Sequence, residues 1–180
     1  ELNLSKINLN FFADKNDVLI KNIFGNLDEI KISDGDIKLS LDSGIKLNSN
    51  FNSKINLNKD QFDKYFRYFK KDKSRYEINK LEGVFTNNFS INFDETYKIK
   101  KYNYTFNGKI EKSSIELLNP IKNNLISEEI KNIYLSDLQI QSTFSPKKAK
   151  IKGDGKYSLN NSDFFKINLD NELLKDLFNL

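Results

Sequence analysis

Between residues 37 and 57 the chain alternates apolar and polar side chains almost without error. Ile37, Leu39, Leu41, Ile45, Leu47, Phe51, Ile55 and Leu57 occupy odd positions, with Ser43, Ser49 and Ser53 as small interruptions, and the even positions are polar or glycine. Such period-2 alternation marks β-strands with one buried face. A loop at Asp42-Ser43-Gly44, with the glycine in the left-handed region, pairs Leu41 with Ile45 and keeps both arms facing the same way. Upstream, an Asp34-Gly35 turn would set Ile32 opposite Ile37, again on that side.

The same pattern continues downstream. Leu81, Gly83 and Phe85 are expected to meet Phe89, Ile91 and Phe93 across a Thr86-Asn87-Asn88 loop, and Phe93 to face Tyr97 across the following turn. Tyr102, Tyr104, Phe106, Gly108 and Ile110 form a run that breaks at Ser113-Ser114 and resumes at Ile115 and Leu117. Ile133, Leu135, Leu138 and Ile140 change phase once, as a β-bulge requires. Ala149, Ile151, Gly153, Gly155, Tyr157 and Leu159 alternate with polar residues, and Phe165, Ile167 and Leu169 close the series. The pattern predicts ten or more antiparallel strands in a meander. Several exceed the usual five or six residues, which suits a tall, strongly curved sheet.

One segment changes period. In the stretch from Asn58 to Lys71, the residues Phe62, Tyr65, Phe66 and Phe69 fall at i, i+3, i+4 and i+7, while Asn58 and Gln61 stand as N-cap and N3 of a capping box. This predicts one amphipathic helix over about 58–71, its aromatic stripe plugging an end or side of the sheet. A shorter helix is expected near Ser127 to Lys131.

Composition narrows the chemistry. There is no His, Cys, Met or Trp, which removes imidazole bases, Ser-His-Asp triads, thiol nucleophiles, thiolate zinc sites and disulfides. The 29 basic and 25 acidic residues nearly balance, for a net charge of +4. The lysines are spread along polar strand faces rather than gathered as a nucleic-acid surface would need. No run is long and apolar enough for a transmembrane helix, and the first residues lack the form of a signal peptide. The sequences around Asp34-Gly35-Asp36 and Gly153-Asp154-Gly155 do not match calcium-loop spacing. Asp94, Glu95, Glu128 and Glu129 read as surface carboxylates rather than an acid/base pair. The expectation is a non-enzymatic chain with no cofactor and no metal. The absence of an initial Met leads us to read residues 1–180 as a single β-groove segment of a longer protein.

What remains is the apolar face. Covering its eight large side chains between residues 37 and 57 is worth about 12 to 24 kcal/mol. One helix is too small to cover ten strands. Either the sheet closes on itself, or it curls into a trough whose lining meets an acyl chain.

The succession from Asp17 to Phe66, the stretch "YEINKLEGVFTNNFSINFD" at 76–94 and the stretch from Asn119 to Asn160 resemble the central region of YhdP-type proteins of the AsmA-like group, to which TamB also belongs. The strand-then-helix passage "FNSKINLNKDQFDKYFRYF" followed by "LEGVFTNNFSINF" carries most of the likeness. The resemblance implies a taco-like repeating β-groove carrying phospholipid acyl chains between inner and outer membranes. It also implies a periplasmic location, a parent anchored in the inner membrane, and neighbouring β-groove modules in the same chain. The lining would then comprise Ile37, Leu39, Leu41, Ile45, Leu47, Phe51, Ile55 and Leu57, joined by Phe89, Ile91 and Phe93. Tyr102, Tyr104, Phe106, Ile133, Leu135, Ile151, Ile167 and Leu169 would complete it. The rival expectation is a closed β-sandwich or barrel, a scaffold or adhesin module with a dry core.

Overall fold

The alternation is realised as one antiparallel sheet of nine strands in the computed structural model, which describes residues 3–41, 44–66, 75–124 and 128–174. The strands are β1 (Leu4–Ala13), β2 (Asp17–Leu27), β3 (Ile30–Ser40), β4 (Lys46–Asn58), β5 (Tyr76–Phe93), β6 (Ile99–Ile121), β7 (Ile130–Ser145), β8 (Lys148–Leu159) and β9 (Phe165–Leu174). They pair strictly in chain order. The fold is therefore mainly β, a meander as the pattern required, with one short helix, α1 (Lys59–Phe66), between β4 and β5.

Two expected turns and one expected break are continuous strand. β3 runs through Asp34-Gly35, and the left-handed Asp34 (φ 51°) makes a bulge instead of a hairpin. The bulge adds one residue to β3, so Ile32 and Ile37 still share a face, opposite Ser53 and Ser49. β5 continues through Thr86-Asn87-Asn88 as an 18-residue strand, and β6 continues through Ser113-Ser114 as a 23-residue strand. Unbroken pairing from Lys46↔Asn92 to Asn58↔Lys80 holds β5 straight where local turn chemistry would have bent it. These mergers remove three of the expected strands, and β1 and β2, which the alternation did not announce, bring the number to nine among the described residues. The turn after β5 forms, but Phe93 pairs with Ile99, not Tyr97. Residues 128–131 lead directly into β7 and form no helix, and Ser127 lies outside the described residues.

Other local expectations are met. Gly44 is left-handed (φ 98°), and the β3–β4 ladder reaches Ser40↔Lys46, one step short of Leu41–Ile45. The phase change in β7 is a bulge at Asp137 (φ 53°), with the register shift lying between Ser136 and Gln139. At α1 the capping box is complete: the Gln61 amide N–H donates to Asn58 Oδ1 at 3.0 Å, and the Asn58 N–H donates to Gln61 Oε1 at 2.9 Å. The helix packs against β4 and β5. Phe62 and Tyr65 are half-buried there. The Tyr65 hydroxyl donates to the Leu27 carbonyl and to Glu29, each at 3.3 Å. Phe66 is the last residue of α1; its side chain, Phe69 and the expected extension to residue 71 lie outside the described residues.

Bulges and glycines coil the sheet. Left-handed Lys6, Asn22, Asp34 and Asp137 coincide with register shifts in β1, β2, β3 and β7, and each such bulge adds twist and bends its strand. At Gly108 a Cβ would run into the Val84 carbonyl oxygen and lie 2.8 Å from Phe85 Cα; the Phe85 ring occupies that space. At Gly155 a Cβ would lie 2.5 Å from Leu138 Cα. Large side chains laid over glycines are a means of curving a sheet without opening a hole.

The sheet remains open. Substantial contacts join only strands adjacent in sequence, so β1 and β9 do not meet, and no second layer packs on the sheet among the described residues. Neither a sandwich nor a barrel forms. The accessible surface is 12921 Å² for 21.0 kDa, against about 9,000 Å² for a compact monomer of that mass. Among the described residues, only Leu57, Phe85, Leu138 and Ala149 are buried hydrophobic residues.

Candidate functional site: an aromatic apolar face

Cross-strand pairing fixes which side chains share a face. Reading across the sheet from β2, one row runs Ile20, Ile37, Ser49, Phe89, Tyr104, Phe144, Ala149 and Leu173. A neighbouring row on the same face runs Phe51, Asn87, Phe106, Ser142 and Ile151. The other expected lining residues join this face through their partners: Leu39↔Leu47↔Ile91↔Tyr102, Ile55↔Gly83, Leu57↔Leu81, Ile133↔Leu159, Leu135↔Tyr157, Ile167↔Gly155 and Leu169↔Gly153. Ile45 and Phe93 sit at its end, where the Phe93 N–H donates to the Ile45 carbonyl at 2.9 Å. Leu41 ends the β3 arm and is 40% exposed.

The centre of this face is a sequence of ring contacts. Phe51 stacks on Phe89 (6.1 Å between centroids, 11°), Phe89 on Tyr104 (4.2 Å, 12°) and Tyr104 on Phe144 (5.9 Å, 19°). Phe144 in turn stacks on Phe106 (6.0 Å, 14°), which meets Phe85 edge-on at 5.8 Å. Phe85 and Phe144 were not among the expected lining residues, although Phe144 keeps phase with Leu138 and Ile140 and could have been found that way.

Two polar features interrupt the apolar surface. Asn87, 6% exposed, donates from Nδ2 to Ser53 Oγ at 2.9 Å and to the Phe51 carbonyl at 3.3 Å, and its Oδ1 accepts the Tyr104 hydroxyl at 2.9 Å. Burial pushes the Tyr104 phenol up to about 12. Ser142 is 2% exposed, and its Oγ has no hydrogen-bond partner.

The opposite face is polar and ion-paired. Lys38 meets Asp17 at 3.0 Å, Lys152 meets Asp170 at 3.1 Å and Lys148 meets Glu172 at 2.7 Å. The Lys109 ammonium beside Asp137 holds that carboxyl below the usual carboxylate range. Asp94, considered above as a surface carboxylate, closes its own turn: its Oδ1 accepts the Thr96 hydroxyl at 2.7 Å and the N–H groups of Thr96 and Lys98 at 2.8 and 3.0 Å.

Two of the depressions among the described residues bear on the site. A cleft of about 710 Å³ lies at the end carrying the β3–β4, β5–β6 and β7–β8 turns; its lining runs from Gly44 and Ile45 through Phe93 and Tyr102 to Pro146 and Lys147. A depression of about 470 Å³ lies over the middle of β6 to β9, among Asn107, Gln139, Gln141, Lys152, Asp154 and Asp170.

β1 and β2 escaped the sequence reading because their bulges break the alternation. Leu4 and Ile7 straddle Lys6, and Ile20 and Ile23 straddle Asn22, so each strand changes phase midway.

Comparison of the chain with protein-family models, curated proteins and solved structures finds no match. The likeness to the AsmA-like group rests on the sequence pattern alone.

Proposed function

We propose that this chain is a segment of a bridge-like lipid-transport protein, its apolar face carrying acyl chains while head groups stay toward water. The observation that carries the reading is a continuous apolar face across an open nine-stranded sheet with no protein layer over it among the described residues. Contiguous apolar surface on this scale marks a binding surface for something apolar. Rows of stacked rings and branched aliphatic side chains suit a chain of methylenes, since contact is non-directional and lets the ligand slide. The rival module with a dry core requires a closed sandwich or barrel, which this open sheet does not provide.

The sequence resemblance extends the proposal. The cargo is phospholipid, the setting is the periplasm, and the parent is anchored in the inner membrane through parts outside this segment. Neighbouring β-groove modules continue the path to the outer membrane. Transport here is passive and needs no catalytic residue, cofactor or metal.

The test is photo-crosslinking in the intact parent. A photoreactive phenylalanine analogue at Phe51 or Phe106 is expected to yield lipid adducts by mass spectrometry, and the same group at Lys54 or Asn107 on the opposite face is expected to yield none. Absence of lipid from both Phe51 and Phe106 would remove the proposal.

A further inference from the structure

The depression of about 470 Å³ over β6 to β9 lies on the polar face, as the strand pairing of its lining shows. One wall is the row Asn107, Gln141, Lys152 and Asp170, and the other is the row Gln139, Asp154 and Asn168. Between them runs the row Gly108, Ile140, Gly153 and Leu169, in which the glycines have no side chain and Ile140 and Leu169 belong to the apolar face. The floor is therefore backbone, and the depression is a trough crossing the strands from β6 to β9. With neighbouring strands about 4.8 Å apart and alternate residues about 6.7 Å apart, it is about 14 Å long and about 7 Å between its rows.

Its walls hold unused hydrogen-bonding groups. The exposed side-chain amides of Asn107, Gln139, Gln141 and Asn168 make no hydrogen bond among the described residues, whereas on β4 and β5 Thr86 is joined to Asn52 and Ser90 to Asn48 across the same face. Lys152 is matched by Asp170 at 3.1 Å, which leaves Asp154 as the charged group of the lining with no ion pair among the described residues. Asn50 and Asn88 are equally unpartnered and exposed, but they line neither of the two depressions. The trough is where free amides, a free carboxylate and a concave surface coincide.

We infer that this trough binds a neutral oligosaccharide, its hydroxyls pairing with the four amides and with Asp154. Each amide offers two N–H donors and an acceptor oxygen, and a carboxylate only accepts, so the ligand must carry groups that both donate and accept at close spacing, as sugar hydroxyls do. Charge complementarity points the same way. An anion finds two carboxylates in the lining and a single lysine that is already paired. A cation finds Asp154 flanked on the same face of β8 by Lys152 and Lys156. The length across four strands suits a short run of rings rather than one. The site is independent of lipid carriage, which uses the opposite face.

The test is an NMR titration of the 180-residue chain with maltotriose, cellotriose and chitotriose, with trigalacturonic acid as the anionic comparison and spermidine as the cationic one. At least one neutral trisaccharide is expected to shift the side-chain amide signals of Asn107, Gln139, Gln141 and Asn168 and to bind more tightly than either charged probe. The N107A/Q141A/D154A variant loses several hydrogen bonds to the sugar and is expected to bind it about tenfold more weakly or worse. The N50A/N88A variant, altered on the same face outside the trough, is expected to bind as the wild type does. Circular dichroism verifies both folds.

No shift at the trough amides with any of the three neutral sugars overturns the site, as does undiminished binding by N107A/Q141A/D154A or equal loss in both variants. Tighter binding of trigalacturonic acid or of spermidine makes the trough an ion site and overturns it too. Sugar shifts confined to the aromatic rows of the opposite face place the sugar elsewhere, with the same consequence.

Discussion

The Tyr104 hydroxyl donates to Asn87 Oδ1 at 2.9 Å in the middle of a face otherwise built of rings. Asn87 reaches Ser53 on β4 and Tyr104 on β6, so one side chain ties three strands in a single register. A one-residue slip would separate these groups and leave buried polar atoms unpaired. Replacing Asn87 with Ala is expected to cost about 1 to 3 kcal/mol, because the Ser53 and Tyr104 hydroxyls lose their partner. Urea denaturation measures this, and an unchanged midpoint would show that the hydroxyls find water instead.

Tyr104 also sets a pH dependence. Burial raises its phenol from 10.0 to about 12, so the folded chain holds the proton where the unfolded chain has released it. Its contribution is fully present below pH 10 and is lost as pH rises through about 12. Tyr65, also pushed up to about 12 by burial, acts in the same direction. Phenolate absorbance during an alkaline titration should show late-titrating tyrosines, Tyr102 among them because burial raises its phenol too, and one of those near 12 should disappear in Tyr104→Phe.

Ser142 and Ser53 should respond oppositely to loss of their hydroxyls. Ser142 Oγ is buried with no partner, so Ser142→Ala removes a desolvation cost and is expected to be neutral or to stabilise by up to about 1 kcal/mol. Ser53→Ala is expected to destabilise, since its Oγ accepts from Asn87. Paired thermal melts of the two variants give the comparison directly.

Glycine positions divide by the space around them. Gly108→Ala is expected to cost about 2 kcal/mol or more, since the new methyl group meets the Val84 carbonyl and the Phe85 backbone. Gly25→Ala meets atoms no closer than 3.5 Å and should be tolerated. Equal effects at the two sites would show that the sheet relaxes around Gly108.

The capping box offers a local test. Asn58→Ala should destabilise by about 1 kcal/mol, because the Gln61 N–H loses its acceptor. Hydrogen exchange in the first turn of α1 should quicken with it.

Much of this structure was legible in the chain itself. Alternation fixed the apolar face correctly even where the turn was misread, because Phe85 and Phe89 have the same parity whether Thr86-Asn87-Asn88 loops or runs straight. A bulge at Asp34 did for Ile32 and Ile37 what a two-residue turn would have done. The capping residues, the left-handed Gly44 and the phase change in β7 were equally local, and each was visible. Tertiary structure decided what depends on a partner strand. A residue suited to positive φ serves a hairpin or a bulge equally well, and only the neighbouring ladder selects between them. Whether the sheet closes is likewise settled by the summed twist of nine strands, their bulges and the glycines beneath Phe85 and Leu138. The meeting of Asn87 with Tyr104 and the gathering of Asn107, Gln141 and Asn168 around one depression also join residues far apart in the chain, so no local pattern could announce them.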